Sequence, residues 1–153
     1  MDRSSEVEAQ VARNKAVVAR YFHEVLDRKN FDLIPEIIAP DVVVHRPGFV
    51  ASGLETVTRN LRARLQDYMA FSSEVAGLMA DGDMVSARIT HSTRVRPHTL
   101  HSRAGDVEVT RDQELNWEAI VQFRLKDGKI AEEWVMRDEL GMLAQLGKIE
   151  VRV

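Results

Sequence analysis

Asp138 ends a run in which Ile130, Glu132, Trp134, Met136 and Asp138 occupy alternate positions, and alternate positions share one face of a β-strand. If Trp134 and Met136 face a core, Asp138 faces it too. A carboxylate beside an indole and a thioether, with little water, is harder to ionise, so its pKa rises. Such a group can take and return a proton at the carbon beside a carbonyl, as acid–base catalysis on a carbonyl compound requires. The same aspartate can instead cap a helix starting at Glu139, its carboxylate accepting from the free N–H groups there. On spacing alone, the cap is the commoner fate.

His45 ends the apolar run Val42-Val43-Val44, and His91 shares a strand face with Val85, Ala87 and Ile89. Each can place an imidazole in a pocket as a hydrogen-bond donor or as a proton carrier near neutral pH. For either alone, a half-buried ring satisfied by backbone is the more usual outcome. Trp117 and Trp134, the only tryptophans, share the expected inward parity and offer flat walls for a polycyclic ligand, although strand tryptophans more often pack a core. Met136 would line the same wall, and Glu132 would be a second pocket acid or a solvent-facing one. No metal site is expected, because His98 and His101 lie among Arg96 and Arg103, whose charges oppose a cation. Phosphate loops, nucleophile elbows and dinucleotide fingerprints are absent from the sequence.

The elements that must position these residues follow from periodicity. Val7, Val11, Val18, Phe22 and Val25 predict one amphipathic helix from about Ser5 to Arg28, and Phe31 to Ile38 a short second one. Asp41 to His45 reads as a strand, and Leu54, Val57, Leu61 and Leu65 mark a helix running to about Tyr68. Strands then follow from Phe71 to Met79, through Val85 to Thr93, through Trp117 to Leu125, and from Ile130 to Asp138. Asp81-Gly82 and Asp127-Gly128 are the turn signals between them. Pro97 to Asp106 reads as a loop, and Leu140 to Leu146 as a helix closed by Gly147. Helices first and a meander after is the α+β order, with an antiparallel sheet curving around the long helix into a cone.

The chain of 153 residues is expected to form one domain, residues 1–153, with its core over about 14–147. A net charge of −3 and the lack of cysteine give no footprint for nucleic acid and exclude disulfides and thiolate chemistry. The N-terminus lacks the basic start and apolar run of a secretory signal, and no apolar stretch approaches a membrane span, so a cytoplasmic protein is expected.

The stretch Phe123-Arg124-Leu125-Lys126-Asp127-Gly128-Lys129-Ile130, then Glu132-Glu133-Trp134, Asp138 and Leu140-Gly141-Met142-Leu143-Ala144-Gln145-Leu146-Gly147, resembles the closing signature of the SnoaL-like polyketide cyclases. That family lies within the nuclear transport factor 2-like superfamily. Tyr21-Phe22-His23-Glu24-Val25-Leu26 and Ile37 to Gly48 are similar to its helix-to-first-strand passage. The resemblance implies an α+β cone, dimeric or tetrameric, without metal or organic cofactor. It further implies a general acid/base at Asp138, a histidine partner at His45 and, more loosely, one at His91, acting in an intramolecular aldol closure of a polyketide ester. One segment departs from the family's Gly- and Thr-rich pattern: Arg94, Arg96, His98, His101, Arg103 and Arg111 make a basic rim suited to a carboxylated or phosphorylated substrate. The expected function is acid–base catalysis on a hydrophobic carbonyl compound. A non-catalytic ligand-binding or assembly module, an isomerase, and an epoxide hydrolase or cyclase are the alternatives.

Overall fold

The computed structural model describes residues 2–150 and 152; Met1, Val151 and Val153 lie outside the described residues. The apolar stripe of the first segment does become helix, but in two forms. Helix α1 spans Arg3–Arg20, and Tyr21–Asp27 continues it as a π-helical turn. The wider turn, with i→i+5 bonding, keeps Tyr21, Phe22, Val25 and Leu26 all buried against the sheet. A 3₁₀ turn (Phe31–Leu33) and a short α2 (Ile34–Ile37) follow. The second helix stops earlier than expected, because Ile38 already begins a strand.

The strands are β1 (Ile38–Arg46), β2 (Phe49–Ser52), β3 (Tyr68–Asp81), β4 (Met84–Val95), β5 (His98–Ser102), β6 (Gly105–Val109), β7 (Gln113–Lys126) and β8 (Lys129–Arg137). Helix α3 (Leu54–Leu65) buries Val57, Leu61 and Leu65 at a spacing of four, and α4 (Glu139–Gln145) closes the fold. Six strands form one sheet in the order β2-β1-β8-β7-β4-β3. The expectation of an antiparallel sheet is corrected at one pair, since β1 runs parallel to β8. Parallel neighbours need a long crossover, and here more than half of the chain, residues 47–128, lies between the two. The stretch expected as a loop, Pro97 to Asp106, is instead mostly the β5–β6 hairpin, anchored by buried Leu100 and Val109. Among the described residues no helix is long and apolar enough to cross a membrane.

The alternation read for β4 and β7 holds. Val85, Ala87, Ile89 and His91, like Trp117, Ala119, Val121 and Phe123, are buried. On β8 the expected face is inverted. Glu133 and Val135 are buried, whereas Met136 is 64% exposed, Trp134 half-buried and Asp138 exposed. The cause is a β-bulge: Leu125 pairs with Ile130 and Arg124 with Glu132, so Ala131 is an extra residue with no partner of its own. Ile130 and Ala131 are both buried, and every side chain after them changes face. Alternation counted from Ile130 therefore assigns Glu132, Trp134, Met136 and Asp138 to the wrong side.

Asp138 is the cap that spacing alone favoured. Its Oδ1 accepts from the Gly141 N–H at 2.8 Å, and its carbonyl accepts from Met142 N at 3.1 Å. A Cβ on Gly141 would fall on the Asp138 carboxylate, so the aspartate and the glycine three residues on form one device. Urea denaturation should show Asp138→Ala losing about 1 kcal/mol of stability. Gly141→Ala, ordinarily favourable within a helix, should here cost about 1–3 kcal/mol by overpacking. In the Asp138→Ala background that second loss should largely vanish.

Candidate active site

Bulge and helices together bring five polar side chains to one cavity. Tyr21 projects from the π turn, Arg46 from the end of β1, Arg64 from the last turn of α3, and Glu133 and Arg137 from β8. They line a cavity of about 540 Å³ whose remaining wall is largely apolar. Behind it, sharing all five residues, is an inner recess of about 20 Å³ faced by His91 and Trp117, room for roughly one water.

Glu133 is the only carboxylate among the buried polar residues described. The Tyr21 hydroxyl donates to its Oε2 at 3.3 Å, and Arg46 Nη2 stands 4.0 Å from its Oε1. Burial first, and then the Glu133 charge, push the Tyr21 phenol well above its usual pKa, so it stays a donor at neutral pH. One carboxylate oxygen is thus bonded and the other faces a guanidinium across a gap. Arg137 is neutralised by Glu139, Nη2 to Oε1 2.9 Å. Burial, and then the nearby Arg46, lower Arg64 to about 10.

His91 stands in the inner recess, its ring 5.0 Å from Phe71 and 5.2 Å from Trp117 between centroids. Ser73 donates its hydroxyl to Asp27 Oδ1 at 2.7 Å, so the 3.0 Å contact between Ser73 Oγ and His91 Nδ1 must be an N–H donated by the histidine. That settles the tautomer, with the lone pair on Nε2. Burial, with Arg64 and Arg46 adding repulsion, lowers His91 to about 3. The imidazole is a neutral acceptor at Nε2, not the donor expected.

Other expected site residues lie outside the cavity. His45 faces the outer side of the sheet, stacked on Trp134 with ring centroids 5.4 Å apart, and its Nε2 contacts Glu132 Oε1 at 2.8 Å. Glu132 Oε2 also accepts from Arg124 Nη2 at 3.1 Å, and the hydrogen bond with His45 is the main cause holding this carboxyl below its usual range. Met136 is exposed on that outer face, and Asp138, also exposed, caps α4. Of the expected set only His91 and Trp117 reach the site, where they face its inner recess. Among the described residues no group of three His, Asp or Glu side chains is arranged to hold a metal. Tyr21, Arg46, Glu133, Arg137, Ser73 and Asp27 were not singled out by sequence reasoning, and Arg64, whose place on the third helix suggests only a solvated face, lines the cavity. A signal for Glu133 existed: it alternates with apolar Ala131 and Val135, and the adjacent apolar pair Ile130-Ala131 hints at a bulge.

A cone of sheet and helices around a mainly apolar cavity with one buried acid defines a small-molecule pocket of the α+β cone class. The chain belongs to the SnoaL-like polyketide cyclase family, whose model matches residues 16–146. Among solved structures it is similar to TsrD from Streptomyces laurentii, with 21% identity, a TM-score of 0.74, and coverage of 97% of this chain and 99% of that one. A SnoaL-like polyketide cyclase from Agrobacterium tumefaciens is 18% identical, with a TM-score of 0.69 over 88% of this chain and 98% of that one. An LEH-like epoxide hydrolase from M. tuberculosis is 19% identical, with a TM-score of 0.71 over 91% and 92%. No curated protein matches the sequence.

The His91 environment has a measurable consequence. Its folded pKa of about 3 lies below the unfolded value of 6.5, so between those limits the unfolded chain binds the extra proton. Stability from this group is complete above about pH 6.5 and is lost as pH falls toward 3, by about 1.4 kcal/mol per pH unit. Urea titrations at several pH values should show this slope as the difference between the native chain and His91→Gln.

Proposed function

We propose that the protein catalyses proton transfer on a hydrophobic carbonyl compound, of the kind that closes a polyketide ester ring by intramolecular aldol addition, with Glu133 rather than Asp138 as general base. The observation that carries this reading is the buried Glu133 carboxylate, with one oxygen bonded by Tyr21 and the other 4.0 Å from Arg46 at the cavity wall. A carbonyl compound seated there would offer its α-hydrogen to Glu133. The C–H electron pair would move into the enolate, whose oxygen Arg46 would stabilise. The enolate carbon would then attack a second carbonyl of the same molecule, and the proton held on Glu133 would return to the new alkoxide. Trp117 and the recess at His91 would bound the ring system, with His91 Nε2 accepting a hydrogen bond from a ligand hydroxyl.

Deuterium wash-in at the α-carbon of 1-tetralone in D₂O, followed by NMR, tests the step without the natural substrate. The native protein should exceed the buffer rate, and Glu133→Gln should remove the excess by about 100-fold or more. Asp138→Asn should retain most of it. Full activity in Glu133→Gln, or loss confined to Asp138→Asn, overturns the assignment. No exchange at all from the native protein favours a binding module.

A further inference from the structure

We propose that the cavity selects a hydrophobic ligand bearing a carboxylate, and that Arg64 receives that carboxylate. The inference rests on the cavity reading above and adds the substrate's charge.

The argument is one of partners. Arg137 has Glu139 at 2.9 Å and also donates to the His101 carbonyl at 2.7 Å. Arg46 has Glu133 as its nearest carboxylate, and Tyr21 holds that same group. Arg64 is half-buried, and among the described residues its guanidinium has no hydrogen bond or ion pair; the charges acting on it do so only at a distance. Asp67, three residues on, lines the same cavity but makes no ion pair with Arg64. A guanidinium drawn out of water without a partner is a cost the fold carries, and its lowered pKa expresses it. A planar carboxylate matches the guanidinium fork with two parallel hydrogen bonds.

A second orphan stands in the same wall. His98 Nδ1 donates to the Arg96 carbonyl at 2.7 Å, which leaves its Nε2 buried with no partner among the described residues. Tyr68 packs edge-on against this ring, 5.6 Å between centroids, and lines the cavity with Arg64. A hydroxyl on the same ligand would donate to that nitrogen. Val44, Val57, Leu61 and Leu100 give most of the rest of the wall an apolar surface, with Asn60, Asp67, Thr99 and His101 as polar breaks in it, which suits a charged group on a largely hydrophobic frame.

Calorimetric titration with 1-naphthoate and with methyl 1-naphthoate at neutral pH isolates the charge, since the ring system is common to both. The native protein should bind the acid about tenfold or more tightly than the ester. Arg64→Met should bring the two within about twofold, chiefly by weakening the acid. An ester bound as tightly as the acid by the native protein overturns the charge selection but leaves the proton-transfer reading standing. So does a preference that survives Arg64→Met. Failure of the native protein to bind either probe overturns both readings. The native comparison needs no variant, so misfolding of Arg64→Met would not remove the test.

Discussion

The single unpaired residue Ala131 decides what the cavity can do. A strand has two faces and a period of two, so one inserted residue exchanges them for the rest of its length. Before the bulge Ile130 points inward; after it Glu133, Val135 and Arg137 do, while Glu132, Trp134 and Met136 are turned out. The neighbouring β1 is irregular at the same level, pairing Ile38 with Ile130 but Val43 with Glu132. Burial of both Ile130 and Ala131 holds the bulge, since straightening β8 would bring Met136 inside and turn Val135 out.

The sheet then separates two charge systems carried by adjacent residues. Outside, Glu132 is held by His45 and Arg124 in water, a surface cluster that steadies β1 against β8 and β7. Inside, Glu133 meets Tyr21 and Arg46 where water is scarce and electrostatic interactions count for more. The unmatched Arg64 and the neutral His91 belong to this inner system. The guanidinium that lacks a partner helps keep the imidazole uncharged.

The closing signature that marks the family takes on a structural meaning. Asp138 accepts the Gly141 N–H, Gly141 leaves room for the carboxylate, and Met142 and Leu143 bury their side chains to hold α4 on the fold. Such a cap is demanded by backbone geometry whatever the pocket contains. It can therefore mark a fold without marking a reaction.

Periodicity was enough for the helical stripe of Val18, Phe22 and Val25, for the alternation of β4 and β7, for the two Asp-Gly turns and for the α+β order. These depend on neighbours within a few residues, and burial of one face imposes their period. The family resemblance was legible on the same local grounds, in turn and cap motifs. The parallel pairing of β1 with β8, the hairpin at His98–Val109 and the inward face of β8 were not, because each depends on which distant strand lies alongside. The candidate site is the extreme case. Tyr21, Arg46, Arg64 and Glu133 come from four separate elements, and none carries a local sign of the others. The sequence by itself determined the main helices, the alternation of β4 and β7 and the inward parity of His91 and Trp117; only the tertiary structure decided which of two adjacent glutamates enters the cavity, because the register of β8 is set by its partners rather than by its own pattern.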